Sequence, residues 1–195
     1  MSLNHYFRTM QTNKRILIVS AIIIGAALTR LIPHPMNFAP LGAMALFGSA
    51  YLSRNGVGLF ATMMAWFISD LLLNNFVYAT SGFTLFTQGS FFIYGSIVLI
   101  YFLGKGLLKE VTMPKMLAGS LGASVIFFVL SNLGVWLSGQ GYPLTMGGLV
   151  ACYTMALPFF QNTLIGDLFY ALVLFLIYER YLKSMMVPDK LRRDR

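Results

Sequence analysis

Three ionisable residues, Arg30, Asp70 and Asp167, sit inside long apolar stretches of this sequence. A charge at membrane depth is costly, so each is a functional candidate, although many such groups serve only as structural pairs. At about 1.5 Å of rise per residue, Arg30 lies roughly 21 Å beyond the start of the apolar run at Ile16, and Asp70 roughly 20 Å into the run that starts at Val57. If the two runs cross in the same direction, these residues share one depth in the outer leaflet and could pair. A structural ion pair cancels its own burial cost more simply than a direct ligand contact does. Asp167 falls nearer the bilayer centre. Its carboxyl could bond Tyr170, Asn162 or a neighbouring helix, or serve a proton relay, which would want several such groups. Phe67-Ile68-Ser69-Asp70-Leu71 and Leu164-Ile165-Gly166-Asp167-Leu168 each set a small residue before Asp and Leu, a pattern consistent with the inverted repeats of transporters.

Other chemistry is thinly represented. There is no Gly-x-x-x-x-Gly-Lys-[Ser/Thr] phosphate loop, no His-Glu-x-x-His zinc motif and no Gly-x-Ser-x-Gly elbow, so catalysis by those routes is excluded. A nucleophile and base at matching depth are also missing, and no enzyme activity is expected. The single cysteine, Cys152, forbids an intrachain disulfide and a Cys-based zinc site; it either packs or meets a metal centre. No resident cofactor is expected. His34, between two prolines, reads first as a loop residue. The connecting segments that avoid basic residues hold Asn37, Phe38, Asn74, Asn75, Tyr78, Thr80, Ser81, Phe83, Thr84, Gln140, Tyr142, Thr145 and Tyr153. That mixture suits an uncharged, hydrogen-bonding organic ligand, or an ordinary aromatic belt at headgroup level. The candidate substrate-binding set is Arg30, His34, Asn37, Phe38, Asp70, Asn74, Tyr78, Tyr142 and Asp167.

The elements that must position these residues follow from composition. Of 195 residues, 57% are hydrophobic and 10% charged, against roughly 25% charged in soluble domains. An all-α integral membrane protein of one domain is expected, residues 1–195, as a six-transmembrane-helix bundle. The spans are expected near 16–32, 39–52, 57–73, 86–103, 116–137 and 157–182, the second being short for a full crossing. Residues 138–156, broken by Gly139, Gly141, Pro143, Gly147 and Gly148, should fold back over one face, partly helical around Gly148 to Met155. Lys and Arg fix the orientation. With the N-terminus inside, 13 of the 14 basic residues fall on the inner side: Arg8, Lys14, Arg15, Arg54, Lys105, Lys109, Lys115, Arg180, Lys183, Lys190, Arg192, Arg193 and Arg195. The net charge of +8 therefore describes topology and contact with the lipid bilayer; no nucleic-acid partner is expected. Both termini are expected in the cytoplasm of a bacterial inner membrane. Ala21 and Gly25 put a small-xxx-small face on the first helix, suited to close packing inside the bundle or against a separate subunit.

The runs Arg30-Leu31-Ile32-Pro33-His34-Pro35-Met36-Asn37-Phe38-Ala39-Pro40, Gly42-Ala43-Met44-Ala45-Leu46-Phe47-Gly48, Ile68-Ser69-Asp70-Leu71, Asn132-Leu133-Gly134-Val135-Trp136, Tyr142-Pro143 and Asn162-Thr163-Leu164-Ile165-Gly166-Asp167 together resemble an uncharacterised bacterial family of six-helix membrane proteins, DUF6580-like, over most of the chain. More distantly, six helices in a short chain, a Gly-rich second span and Ser-Asp closing the third resemble the substrate-binding S-components of energy-coupling-factor (ECF) vitamin transporters. That resemblance implies an outward-facing pocket roofed by the loops after helices one, three and five. It also implies a coupling subunit and ATPases docking at helix one, where Ala21 and Gly25 stand in place of two alanines. One branch of that class is proposed to take up cobalamin through an outer-loop cysteine. Here the 74–85 loop has no cysteine, which leaves Cys152 as the only substitute and cobalamin as one candidate. The leading expectation is thus a substrate-binding membrane subunit for uptake of a small, vitamin-like nutrient, and the alternative a non-catalytic membrane scaffold resembling small subunits of cell-shape machinery.

Overall fold

The computed structural model describes residues 3–53, 56–78, 82–139 and 141–183, with side chains from residue 10 onward. Arg54, Thr80, Ser81, Gln140, Lys190, Arg192, Arg193 and Arg195, all used in the sequence reading, lie outside the described residues, as does the side chain of Arg8. The described chain is helical without strands: α1 (Leu3–Leu28) tightens into a 3-10 turn at Thr29–Leu31; α2 (Leu41–Tyr51) follows; α3 (Val57–Leu72) widens into a π-helical turn at Leu73–Val77; then come α4 (Ser90–Leu107), α5 (Met113–Leu137) and α6 (Met146–Ile177), which also ends in a π-helical turn, Tyr178–Leu182.

Four segments, Val57–Val77, Ser90–Leu107, Met113–Leu137 and Met146–Leu182, are long and apolar enough to cross a membrane, the mark of a membrane protein. α2 is of another kind. Its 11 residues rise roughly 16 Å, about half a hydrocarbon core, and nearly all of them are buried. A helix apolar on every side belongs in an interior, and α2 packs against all five other helices. Its small residues make that possible. A Cβ on Gly48 would stand 2.9 Å from the Gly58 carbonyl oxygen of α3, and one on Gly42 would stand 2.5 Å from the Asp167 carboxylate of α6. The lower end is closed by rings: Phe47 and Tyr51 of α2 pack on Phe175 and Tyr178 of α6 at centroid distances of 3.9 to 5.7 Å.

Helix ends depart from the sequence reading where turn formers were weighed too lightly, before α4, or too heavily, before α5 and α6. α4 starts at Ser90, not near 86, because Gly89 takes a left-handed φ of 87° and Ser90 Oγ donates to the Thr87 carbonyl at 2.7 Å. α5 starts at Met113 with proline in its first turn, where the missing N–H costs nothing. The largest departure is α6. Residues 146–156 are the first turns of a helix rather than an irregular fold-back, for Thr145 caps it by accepting from the Gly148 N–H at 3.2 Å, a standard stabiliser of a helix start. Gly148 is required there, since a Cβ would collide with the Pro143 carbonyl. Helix continues through Pro158, and the 37 residues Met146–Leu182 extend roughly 55 Å, well beyond one hydrocarbon thickness without tilt.

Candidate functional site

The sequence of α3 sets Trp66, Ser69 and Asp70 at i, i+3 and i+4, one face of a helix. The 3-10 turn ending α1 delivers Arg30 to that face. Its Nη2 lies 2.7 Å from Asp70 Oδ1, with the two side chains only 12% and 17% exposed. Nη1 donates to Ser69 Oγ, and the guanidinium carbon stands 3.5 Å over the Trp66 ring. Ser69 is oriented by donating to the Trp66 carbonyl at 2.8 Å. Arg30 and Asp70 thus form the pair that matched depth suggested, and the planar fork of arginine is used on both edges and one face.

Asp167 has a different surrounding. Only 1% exposed, it reaches from α6 to the start of α2, where Oδ1 accepts from the Ala43 N–H at 3.2 Å and Oδ2 from Ser124 Oγ of α5 at 2.8 Å. The bond is to neighbouring helices; Tyr170 instead shares a hydrogen bond with Thr29 at 2.8 Å, and Asn162 donates to the Met36 carbonyl at 2.9 Å. A carboxylate facing the first N–H groups of a helix meets the positive end of its dipole, so Asp167 ties α2, α5 and α6 at one point. Gly166 allows it, since a Cβ there would sit 3.1 Å from the Ala39 nitrogen.

The remaining sequence candidates are spread over separate places. His34 is exposed, its Nδ1 2.9 Å from the Pro35 carbonyl. Asn37 is exposed in a left-handed conformation, φ 62°. Phe38 packs against Phe169 and Tyr170 at 5.8 and 5.7 Å. Asn74 is half-buried and Tyr78 exposed in and after the π-helical turn, and Tyr142 is half-buried in the α5–α6 connection. In the 74–85 loop the organising residue is Asn75, which donates to the Leu71 and Thr84 carbonyls and accepts from the Thr84 N–H at 2.7 to 2.9 Å. Cys152 lies on α6, not in a loop, and is buried with Sγ 3.5 Å from the Asn132 carbonyl; it packs and presents no thiol to an outer ligand. Among the described residues no three His, Cys, Asp or Glu side chains gather as metal ligands.

A groove of about 690 Å³ lies between α3 and α4, walled by Met63, Met64, Phe67, Phe86, Phe91 and Tyr94 with Thr87 and Ser90 at its rim. Phe67, Phe86 and Tyr94 form a chain of ring contacts at 5.5 and 6.2 Å along it. The Tyr94 hydroxyl is buried and, among the described residues, has no hydrogen-bond partner, while the residue lies close enough to Arg30 and Asp70 to feel both charges. Sequence reading passed over these residues, because methionines and aromatics on two spans have the same pattern whether they face lipid or a cavity. Ala21 and Gly25 are both exposed on α1, and a Cβ on Gly25 would meet nothing within 4 Å, so this face looks outward and not into the bundle.

No curated protein and no solved structure matches the sequence. A family model described as a family of unknown function, DUF6580, matches residues 10–188, and the chain belongs to that family.

Proposed function

We propose that this protein is a non-catalytic, substrate-binding subunit of a bacterial inner membrane that takes a small organic nutrient into the groove between α3 and α4. The observation that carries the reading is the groove itself, an aromatic- and methionine-walled space between two helices. About 690 Å³ of space falls within the range of small-molecule sites, and the ring chain Phe67, Phe86 and Tyr94 gives it a continuous apolar wall. Aromatic and methionine walls favour an apolar body over the evenly hydrogen-bonding molecule that the loop composition suggested. Such a body could be part of a larger vitamin-like compound. Arg30 and Asp70 would hold α1 against α3 and fix the wall behind Tyr94.

On this reading α1 and α2 complete a six-span bundle of the ECF S-component kind, with both termini cytoplasmic. Energy for uptake would come from a coupling subunit and ATPases, docking on the outward Ala21 and Gly25 face of α1. The same exposed face supports the alternative, a membrane scaffold that meets partner helices there and binds no ligand.

Native mass spectrometry of protein gently extracted from its host membrane separates the two. A retained small molecule, displaced when Met64→Trp fills the groove, supports the binding subunit. A ligand-free chain that carries other membrane proteins, and loses them on Gly25→Leu, overturns it in favour of the scaffold.

A further inference from the structure

A second pocket, of about 350 Å³, lies at the opposite end of the bundle between the middle of α1, the end of α2 and the start of α3. Thr12, Arg15 and Ser53 give it a polar side, and Ile16, Leu52 and Val57 an apolar one. This is the end at which most basic residues of the described chain collect: Lys14 and Arg15 in α1, Lys105 in the last turn of α4, Lys109 between α4 and α5, Lys115 in the first turn of α5, and Arg180 and Lys183 after α6. Arg15 is the last of them before α1 turns apolar at Ile16, so it marks the level where hydrocarbon gives way to headgroups.

The charge of Arg15 meets the neutral Tyr178 hydroxyl and, among the described residues, no anion. Among the described residues no carboxylate lies within 4.0 Å of it; the ion pairs formed are Arg30–Asp70, Lys115–Glu110 and Lys183–Glu179. Glu179, reached from the pocket through the Tyr51 hydroxyl at 2.7 Å, is itself held by Lys183 at 2.7 Å. A positive, half-enclosed cleft remains, polar on one side and apolar on the other.

We infer that this cleft binds the headgroup of an anionic phospholipid, with the phosphodiester on Arg15 and the Thr12–Ser53 side. The glycerol backbone would lie against Ile16, Leu52 and Val57. A lipid fits better than free phosphate for two reasons. Half of the lining offers a phosphate ion nothing, and the volume admits a headgroup while the acyl chains find Leu17 and Phe60, 70% and 67% exposed on α1 and α3. Basic pockets at a membrane surface gain about 1 kcal/mol per cationic residue toward anionic lipid.

The test is lipid retention and thermal unfolding of the full chain in neutral detergent, with phosphatidylglycerol, phosphatidylcholine or inorganic phosphate added. Phosphatidylglycerol should raise the unfolding temperature and persist as a discrete adduct. Arg15→Gln should weaken its retention about fivefold, the change that ~1 kcal/mol represents, while Lys109→Gln, at the same end but outside the pocket, should leave it unchanged. Should Arg15→Gln fail to fold, Ser53→Phe, which fills the cleft from its rim, should abolish the adduct. Equal effects of the two lipids, equal losses in the Arg15 and Lys109 variants, or a full effect from inorganic phosphate alone would overturn the assignment.

Discussion

Asp70 and Asp167 stand in nearly the same local sequence, a small residue before and leucine after, yet the bundle uses them in opposite ways. Asp167 faces inward to the axis helix, sealed at 1% exposure, and its partners are an N–H at the start of α2 and a hydroxyl. Asp70 faces the seam between α1 and α3, meets a full cation, and has a groove beside it. Three helices rest on the first carboxylate, and the second closes one seam at the edge of a cavity. Local sequence chose the residue type; the neighbouring helix decided the job. Burial without a counter-cation makes the first site a structural fixture, whereas the edge position of the second leaves room for a ligand to be read.

The sharpest way to break this contrast is Asp167→Ala. It strands the Ala43 N–H in an interior without water and takes from the Ser124 hydroxyl its shorter partner, leaving only the Ser120 carbonyl at 3.0 Å, a loss of up to about 3 kcal/mol. The expected outcome is the largest loss of thermal stability in detergent among these variants. Gly42→Ala should mimic it, because the added Cβ would stand 2.5 Å from the same carboxylate. If Asp167→Ala unfolds at the wild-type temperature, α2 does not depend on that carboxylate. Arg30→Ala and Asp70→Ala should each cost less, roughly 2 kcal/mol, since a partly exposed group left alone can recruit water or lipid headgroups. Their double mutant should be less destabilised than the two single losses added together, by about 0.5 kcal/mol or more, on the order expected for contacting residues. Additive losses would mean that the ion pair contributes nothing as a pair.

The reasons one site was legible and the other was not are physical. Arg30 and Asp70 could be matched by counting residues along two helices, because opposite charges at one depth in lipid have few other ways to be satisfied. The partner of Asp167 left no such trace, for a backbone N–H has no residue type, and only the Gly-rich start of α2 hinted at close approach. The start of α6 was hidden by Pro143, Gly147 and Gly148, which read as breakers. Thr145 carried the contrary signal, a capping residue directly before the apolar run, and in the fold it prevails. The short, Gly- and Ala-rich second segment was readable as unusual, and its shortness follows from its position on the axis.

Trp66→Phe should sharpen the account of the Asp70 side by a small step. It keeps a ring under the Arg30 guanidinium but weakens the cation–π attraction, by about 0.5 kcal/mol, and the expected outcome is a slight drop in unfolding temperature. Tyr94→Phe should have the smallest effect on stability. The hydroxyl it removes is buried and, among the described residues, bonded to nothing, so its loss should leave the unfolding temperature unchanged or raise it, where most buried tyrosines would lose a hydrogen bond worth about 1 kcal/mol. Retention of the native small molecule in mass spectrometry should be unchanged in the same variant, because the hydroxyl is closed off from the groove and the ring remains. A stable variant that retains its ligand fully would show that the groove is read by shape alone, and a clearly destabilised one would mean that the hydroxyl serves the Arg30–Asp70 pair and belongs, like Asp167, to the frame.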